Sequence, residues 1–245
     1  MLPARKHRLF NAWFAGVARR RIEGQFGAVR VRGLDRVRAL ARERPVLLIS
    51  NHPSWWDPLV VLHVSHHLLG TDGHALMDAR NLRRLPFFSL VGAFGVDLDR
   101  PADGAAAIRF AAKLLDRPGR LVWVFPQGRE RPVTARPLGF RGGSAEIARV
   151  ARKAVTIPAA IRYEIGPEER PFLYVCFGDP VEASRDTAAG RAAQEAAVGG
   201  LLDEIERAIE GDPEIAFDEI YRARPPRMGE LATRMLAWLT APRGG

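Results

Sequence analysis

Four short apolar runs, each ending near a polar, glycine or proline turn, constrain this chain more than anything else in it. They are residues 45–50 (PVLLIS), 120–125 (RLVWVF), 155–161 (VTIPAAI) and 172–177 (FLYVCF). Runs this short that are apolar throughout, rather than alternating, read as strands buried in a core. Between and after them lie stretches with helical spacing, at 59–69, 103–115, 145–153 and 188–209. Two weaker strands are expected at 27–33, which alternates, and at 74–78; residues 85–94 read as a short helix and its approach to the next strand. Strands interleaved with helices predict an α/β fold, a mixed central sheet flanked by helices. Asp103 and Ser144 read as helix caps, and Pro158 predicts a bend or an edge position for its strand.

The first run opens into Asn51-His52-Pro53-Ser54-Trp55-Trp56-Asp57-Pro58. Open α/β sheets place their chemistry in such turns, beyond the carboxyl ends of strands. His52 titrates near neutrality and can take a proton from a hydroxyl. A carboxylate on its far ring nitrogen would fix the tautomer and stabilise the imidazolium. Asp57, separated from His52 by four residues, is the candidate. Asp57-Pro58 is equally a helix start, with Asp57 as N-cap, and the two roles are compatible. No serine or cysteine stands in a nucleophile elbow nearby, and Ser144 lies outside a Gly-x-Ser-x-Gly frame. The direct chemistry is therefore attack by an acceptor hydroxyl that His52 activates.

Two later turns carry charge after glycine. Gly95-Val96-Asp97-Leu98-Asp99-Arg100 offers Arg100 to a phosphate, or to an ion pair with Asp97 or Asp99. Pro126-Gln127-Gly128-Arg129-Glu130-Arg131 combines a glycine turn with arginines suited to an anion.

The formal net charge of +9 and sequence pI of about 10.8 favour an anionic partner, whether phosphate-bearing substrate, acidic lipid or nucleic acid. No nucleic-acid motif accompanies the charge, so specific nucleic-acid binding is not expected. The single cysteine, Cys176, excludes an intrachain disulfide and suits a reducing compartment. His63 and His67 share a helical face without an evident acidic third ligand; packed or surface histidines are the better reading, and no metal is expected. Residues 5–22 predict a helix with Leu9, Phe10, Trp13, Phe14 and Val17 on one face and arginines around it. That face suits an anionic membrane surface, or the protein's own core. No run approaches the length of a spanning helix. A basic interfacial helix at 1–24, a main domain at 25–215 and a helical tail at 216–245, with an amphipathic helix at 228–239, complete the expected organisation.

Four blocks in this order, His52 to Asp57, Gly95 to Arg100, Phe125 to Gly128, and Ile157-Pro158, resemble the glycerolipid acyltransferase family, which contains the lysophosphatidic acid acyltransferases. The resemblance covers roughly residues 25–180. It implies a glycerol-phosphate acyltransferase-like α/β fold and transfer of a fatty acyl group from coenzyme A or acyl-carrier protein to a hydroxyl of a lysophospholipid or other lipid acceptor. His52 would be the general base and Asp57 its orienting partner. Arg100, Gln127, Gly128, Arg129 and Arg131 would hold the acceptor or its phosphate. Pro126, Ile157 and Pro158 would shape the acyl or acceptor pocket. No cofactor is implied beyond the acyl thioester itself, and attachment would be peripheral, at the cytoplasmic face of the membrane. The third block departs from the family's Phe-Pro-Glu-Gly-Thr-Arg-Ser: Gln127 replaces the acidic residue, and Glu130 stands where the phosphate-binding arginine would be. This departure leaves room for other hydroxylated lipids. Two other functions stay open on the residues alone: a thioester hydrolase using the same pair, and a non-enzymatic basic module that binds nucleic acid by charge.

Overall fold

A computed structural model describes residues 1–97, 99–224, 235, 236 and 238. Helices α1 (Arg8–Gln25) and α2 (Leu34–Glu43) flank strand β1 (Ala28–Arg32). Strand β2 (Val46–Ser50) leads into α3 (Asp57–His63), which continues as a π-helical turn (Val64–Leu68). Then come β3 (Asp72–Asp78), α4 (Ala79–Arg84), a 3-10 segment (Pro86–Val91) and β4 (Ala93–Val96). Helix α5 (Pro101–Leu114), β5 (Arg120–Val124), α6 (Gly143–Val150), β6 (Val155–Glu164) and β7 (Phe172–Phe177) follow, then α7 (Thr187–Glu210), α8 (Pro213–Ala216) and β8 (Asp218–Arg222).

The strands form one eight-stranded mixed sheet in the order β4-β3-β5-β2-β6-β7-β1-β8. The five from β4 to β6 are mutually parallel; β7 is antiparallel to β6, and β8 to β1. The alternation of side chains along β2 shows how the sheet is covered. Leu47 and Ile49 join the core under α5, α6 and α7, whereas Val46 and Leu48 join the core under α1, α2 and α3. A strand apolar on both faces needs both layers, and this is why the four apolar runs lie inside the sheet.

Several local expectations are corrected. Pro158 is not at an edge: β6 is continuous and pairs with β2 and β7. The Pro158 carbonyl accepts from Gly178 N–H at 2.9 Å, just past the end of β7. The missing N–H therefore falls on that side and the ladder to β2 is intact. Ser144 lies inside α6, whose N-cap is Gly142, and its hydroxyl donates to Gln194 Oε1 at 2.6 Å. Helix α5 begins at Pro101 with Arg100 as N-cap, and Asp103 instead takes the amino group of Met1 at 2.6 Å.

The face that α1 buries also differs. Asn11, Ala15, Ala18 and Ile22 are its buried residues, while Leu9 and Trp13 are exposed. Small residues let the helix approach the domain closely, and Phe10 and Phe14 are only half-buried at the border. The expected boundary at residue 216 does not hold, because β8 pairs with β1 and belongs to the sheet. The helix expected at 228–239 lies outside the described residues, apart from helical positions 235, 236 and 238.

Candidate active site

The turn after β2 is pinned before its histidine is reached. Ser50 Oγ accepts from Trp123 Nε1 at 3.2 Å, and the Asn51 amide exchanges two hydrogen bonds of 2.8 Å with the backbone of Ile161. Asn51 is buried, so each group of its amide is satisfied by β6 rather than water. His52 N–H then donates to Gln127 Oε1 at 2.6 Å, and its carbonyl accepts from Arg131 N–H at 2.9 Å. The Phe125 ring stacks on the imidazole with centroids 4.3 Å apart. The ring is thus held from both neighbouring strands, at the carboxyl ends of β2 and β5.

His52 Nδ1 lies 2.5 Å from Asp57 Oδ2. Asp57 is the first residue of α3 and not its cap, which is Trp56. Its Oδ2 also accepts from Ser54 N–H at 3.2 Å, and Oδ1 accepts from the Tyr163 hydroxyl at 2.7 Å. The carboxyl has no exposed surface. Burial pushes its pKa above the usual carboxylate range, and the hydrogen bonds from His52, Tyr163 and Ser54 oppose that rise. Burial and the neighbouring carboxylate raise the Tyr163 phenol well above its ordinary value, so it remains a donor. With Nδ1 engaged, Nε2 is the free nitrogen. It lies 3.8 Å from Glu130 Oε1, beyond hydrogen-bond range.

His52 opens into a cavity of about 870 Å³. It is lined by Trp55 before α3, by Pro58, Leu59, Leu62, Ser65 and His66 of α3 and the π-helical turn, by Asn11 and Phe14 of α1, by Phe87, Phe88 and Val91 of the 3-10 segment, and by β3. Arg129, Glu130 and Arg141 line it on the His52 side. Gly73 on β3 pairs with Leu121, four residues before Phe125, so it lies roughly 13 Å along the strand direction from the level of the residue that stacks on the imidazole.

The structure brings together His52, Asp57, Pro126, Gly128 and Arg129. It places the other expected site residues elsewhere. Gln127 is buried behind the site, with Oε1 on His52 N–H and Nε2 donating to Leu138 O at 3.1 Å. Arg131 gives its guanidinium to the same carbonyl at 2.7 Å. Arg100 is exposed and 3.6 Å from Asp97, away from the cavity lining. Ile157 and Pro158 are buried in the sheet and do not line the cavity. His63 is packed and buried, and among the described residues no group of three or more His, Cys, Asp or Glu side chains is placed to hold a metal ion.

Sequence reasoning missed Tyr163, Asn51 and Arg141. Arg141 packs beside Gly128, where an added Cβ would come within 3.3 Å of Arg141 Nε. Gly128 has φ +70, so glycine is needed there for the turn as well as for this approach. The glycine before a predicted helix was the available signal for Arg141; nothing local signalled Tyr163.

An α/β sheet with a paired histidine and aspartate at its carboxyl edge defines a class of transferases and hydrolases rather than one protein. The comparison with protein families narrows it: residues 28–162, more than half of the chain, match the family model described as Acyltransferase. The chain belongs to that family, the glycerolipid acyltransferases, and its general activity is acyl transfer. No curated protein matches it. No helix among the described residues is long and apolar enough to cross a membrane.

Proposed function

We propose that the protein moves a fatty acyl group from an acyl thioester, on coenzyme A or an acyl-carrier protein, to a hydroxyl of a lysophospholipid or another lipid acceptor. The observation that carries this is the imidazole geometry: Nδ1 held by a buried carboxylate, and Nε2 free beside a deep, largely apolar cavity. His52 Nε2 takes the proton of the acceptor hydroxyl as its oxygen bonds to the thioester carbonyl carbon. Asp57 stabilises the imidazolium. The carbon–sulfur bond then breaks, the imidazolium returns its proton to the departing thiolate, and an ester and a free thiol leave. The apolar cavity takes the fatty chain.

Arg129 and Arg141 support an anionic group near the reaction centre, since both line the cavity and neither has an ion-pair partner among the described residues. Arg129 would keep the acceptor-holding role that the resemblance implied, and Arg141 would stand in for Arg100 and Arg131. Leu9 and Trp13 on α1 are exposed apolar side chains, and Trp55 and Leu85 are exposed where they line the cavity with Arg80 and Arg84. Such a rim suits peripheral contact with an anionic bilayer, from which acceptor and product could pass without crossing water.

The test is thiol release from a long-chain acyl thioester with and without lysolipid acceptors, alongside His52→Ala. Release that depends on acceptor, with the ester product detected by mass spectrometry and lost in His52→Ala, is the expected result. Equal release without acceptor would make the protein a hydrolase, and unchanged turnover in His52→Ala would remove the base from the mechanism.

A further inference from the structure

We infer that Glu130 selects a lipid acceptor with a second hydrogen-bond donor, a hydroxyl or an ammonium, on the carbon next to the reacting hydroxyl. This rests on the acyl-transfer reading above and narrows its acceptor. Glu130 lines the cavity into which His52 opens. Its Oε1 lies 3.8 Å from His52 Nε2, and the side chains are 55% exposed for the glutamate and 16% for the histidine. A ligand can therefore touch both. Among the described residues the carboxylate has no hydrogen bond, and no cation lies within ion-pair range of it apart from that imidazole.

The backbone ties this carboxylate to the base. Gly128, with φ +70, turns the chain after β5, and its N–H donates to Phe125 O at 3.0 Å. Arg131 N–H then donates to His52 O at 2.9 Å. Glu130 is the residue just before that bond, so its main chain is anchored to the histidine that its side chain approaches. The arginines on either side leave it unneutralised. Arg131 gives its guanidinium to Leu138 O at 2.7 Å, and Arg129 lines the cavity without pairing with Glu130.

The reacting hydroxyl has one proton, and that proton goes to Nε2. A carboxylate only accepts, so Oε1 needs a donor from elsewhere on the acceptor. With a hydrogen bond of about 2.8 Å at each end, the 3.8 Å between Nε2 and Oε1 is bridged by two donors on neighbouring carbons. An acceptor with a lone hydroxyl would strip water from that oxygen and return nothing. A phosphate on the neighbouring carbon would set two anions side by side. Glu130 stands where the family pattern has its arginine, so the charge that would hold such a phosphate is reversed. An anionic group farther along the acceptor can still meet Arg129 and Arg141, since neither pairs with Glu130.

The test uses one series of single-chain acceptors, 1-O-alkyl-propan-2-ols that carry hydroxyl, ammonium, methoxy or phosphate on carbon 3. Each is assayed for thiol release and ester product with wild type, Glu130→Ala and Glu130→Arg, and its binding is titrated calorimetrically without donor. Wild type is expected to favour the hydroxyl and ammonium acceptors over the methoxy one by roughly tenfold or more in kcat/KM and in binding, the scale of a hydrogen bond to a charged group. The phosphate acceptor should rank no higher than the methoxy one. The hydroxyl-to-methoxy ratio should fall towards one in Glu130→Ala, and the phosphate acceptor should become the favoured one in Glu130→Arg. Preference for the ammonium over the hydroxyl would name an amino alcohol, and the reverse a diol such as a sugar offers; either supports the inference. Equal use of hydroxyl and methoxy acceptors by wild type, a wild-type preference for the phosphate, or a hydroxyl preference that survives both substitutions overturns it alone. Absence of thiol release with every acceptor overturns the acyl-transfer reading beneath it, and the titration still reads the site.

Discussion

Asp57 is an aspartate without exposed surface whose negative charge the chemistry needs. Its pKa lies above the ordinary carboxylate range because burial penalises the charge more than its three donors favour it. For an acid raised in this way, the contribution to stability is complete in the protonated form and is lost as pH rises through the raised value. At neutral pH the charge therefore costs stability. Asparagine removes that cost and fits the same partners. Its oxygen can accept from His52 and Ser54, and its NH₂ can donate to the Tyr163 oxygen. Asp57→Asn should lower turnover on the order of 10⁴-fold, by analogy with the serine-protease triad, while its Tm at pH 7 equals or exceeds that of wild type. Thermal unfolding beside kinetics checks this, and a collapse of Tm would mean that the carboxylate holds the turn together. The spacing of His52 and Asp57 was legible because both lie in one turn. Tyr163 was not, because a partner 106 positions away is supplied by sheet register alone.

At the scale of elements, the runs apolar on both faces were legible, and the elements that show water one face were less so. Residues 34–43, unassigned from sequence, form α2 with Leu34, Val37 and Ala41 buried among charged neighbours. Strand β8 (DEIYR) has no apolar run; it is an outer strand whose pairing with β1 exists only in the assembled sheet. The α3 segment was legible as a helix, and its histidines as packed or surface residues; the degree of burial of His63 was not. His63 is buried with Nδ1 unpartnered, and burial lowers its pKa to about 4; His74 on β3 is likewise lowered to about 4, again chiefly by burial. A histidine depressed in the folded state stabilises fully above its unfolded pKa and loses that contribution as pH falls through the folded value. Stability should therefore drop between about pH 6.5 and 4, by up to about 3 kcal/mol for each residue. Denaturant midpoints across that window should flatten in His63→Leu. An unchanged slope would show that another group controls the acid limb.

For the whole molecule, a +9 chain that exposes Leu9 and Trp13 on one helix would, in the membrane contact proposed above, combine charge attraction with apolar insertion. The two forces differ in their response to salt, since screening weakens the first and leaves the second. Co-sedimentation with vesicles should be stronger on anionic than on neutral lipid and should fall with salt. Trp13→Gln should weaken binding several-fold at every salt concentration, because it removes the part that salt does not screen. Binding unaffected by Trp13→Gln would take α1 out of the membrane contact. The basic composition was enough to suggest an anionic partner, but which apolar residues stay outside depended on Ala15 and Ala18 taking the packed face of α1.

Gln127 carries a consequence for how this sequence can change. Its amide accepts from the His52 backbone with one atom and gives a proton to the Leu138 carbonyl with the other. A carboxylate only accepts. Reinstating the acidic residue of the family pattern would thus set two oxygens against each other, with Arg131 alone left to serve Leu138. The position is coupled to the loop opposite it, so Gln127→Glu would require either a protonated carboxyl or a shift of the Leu138 carbonyl.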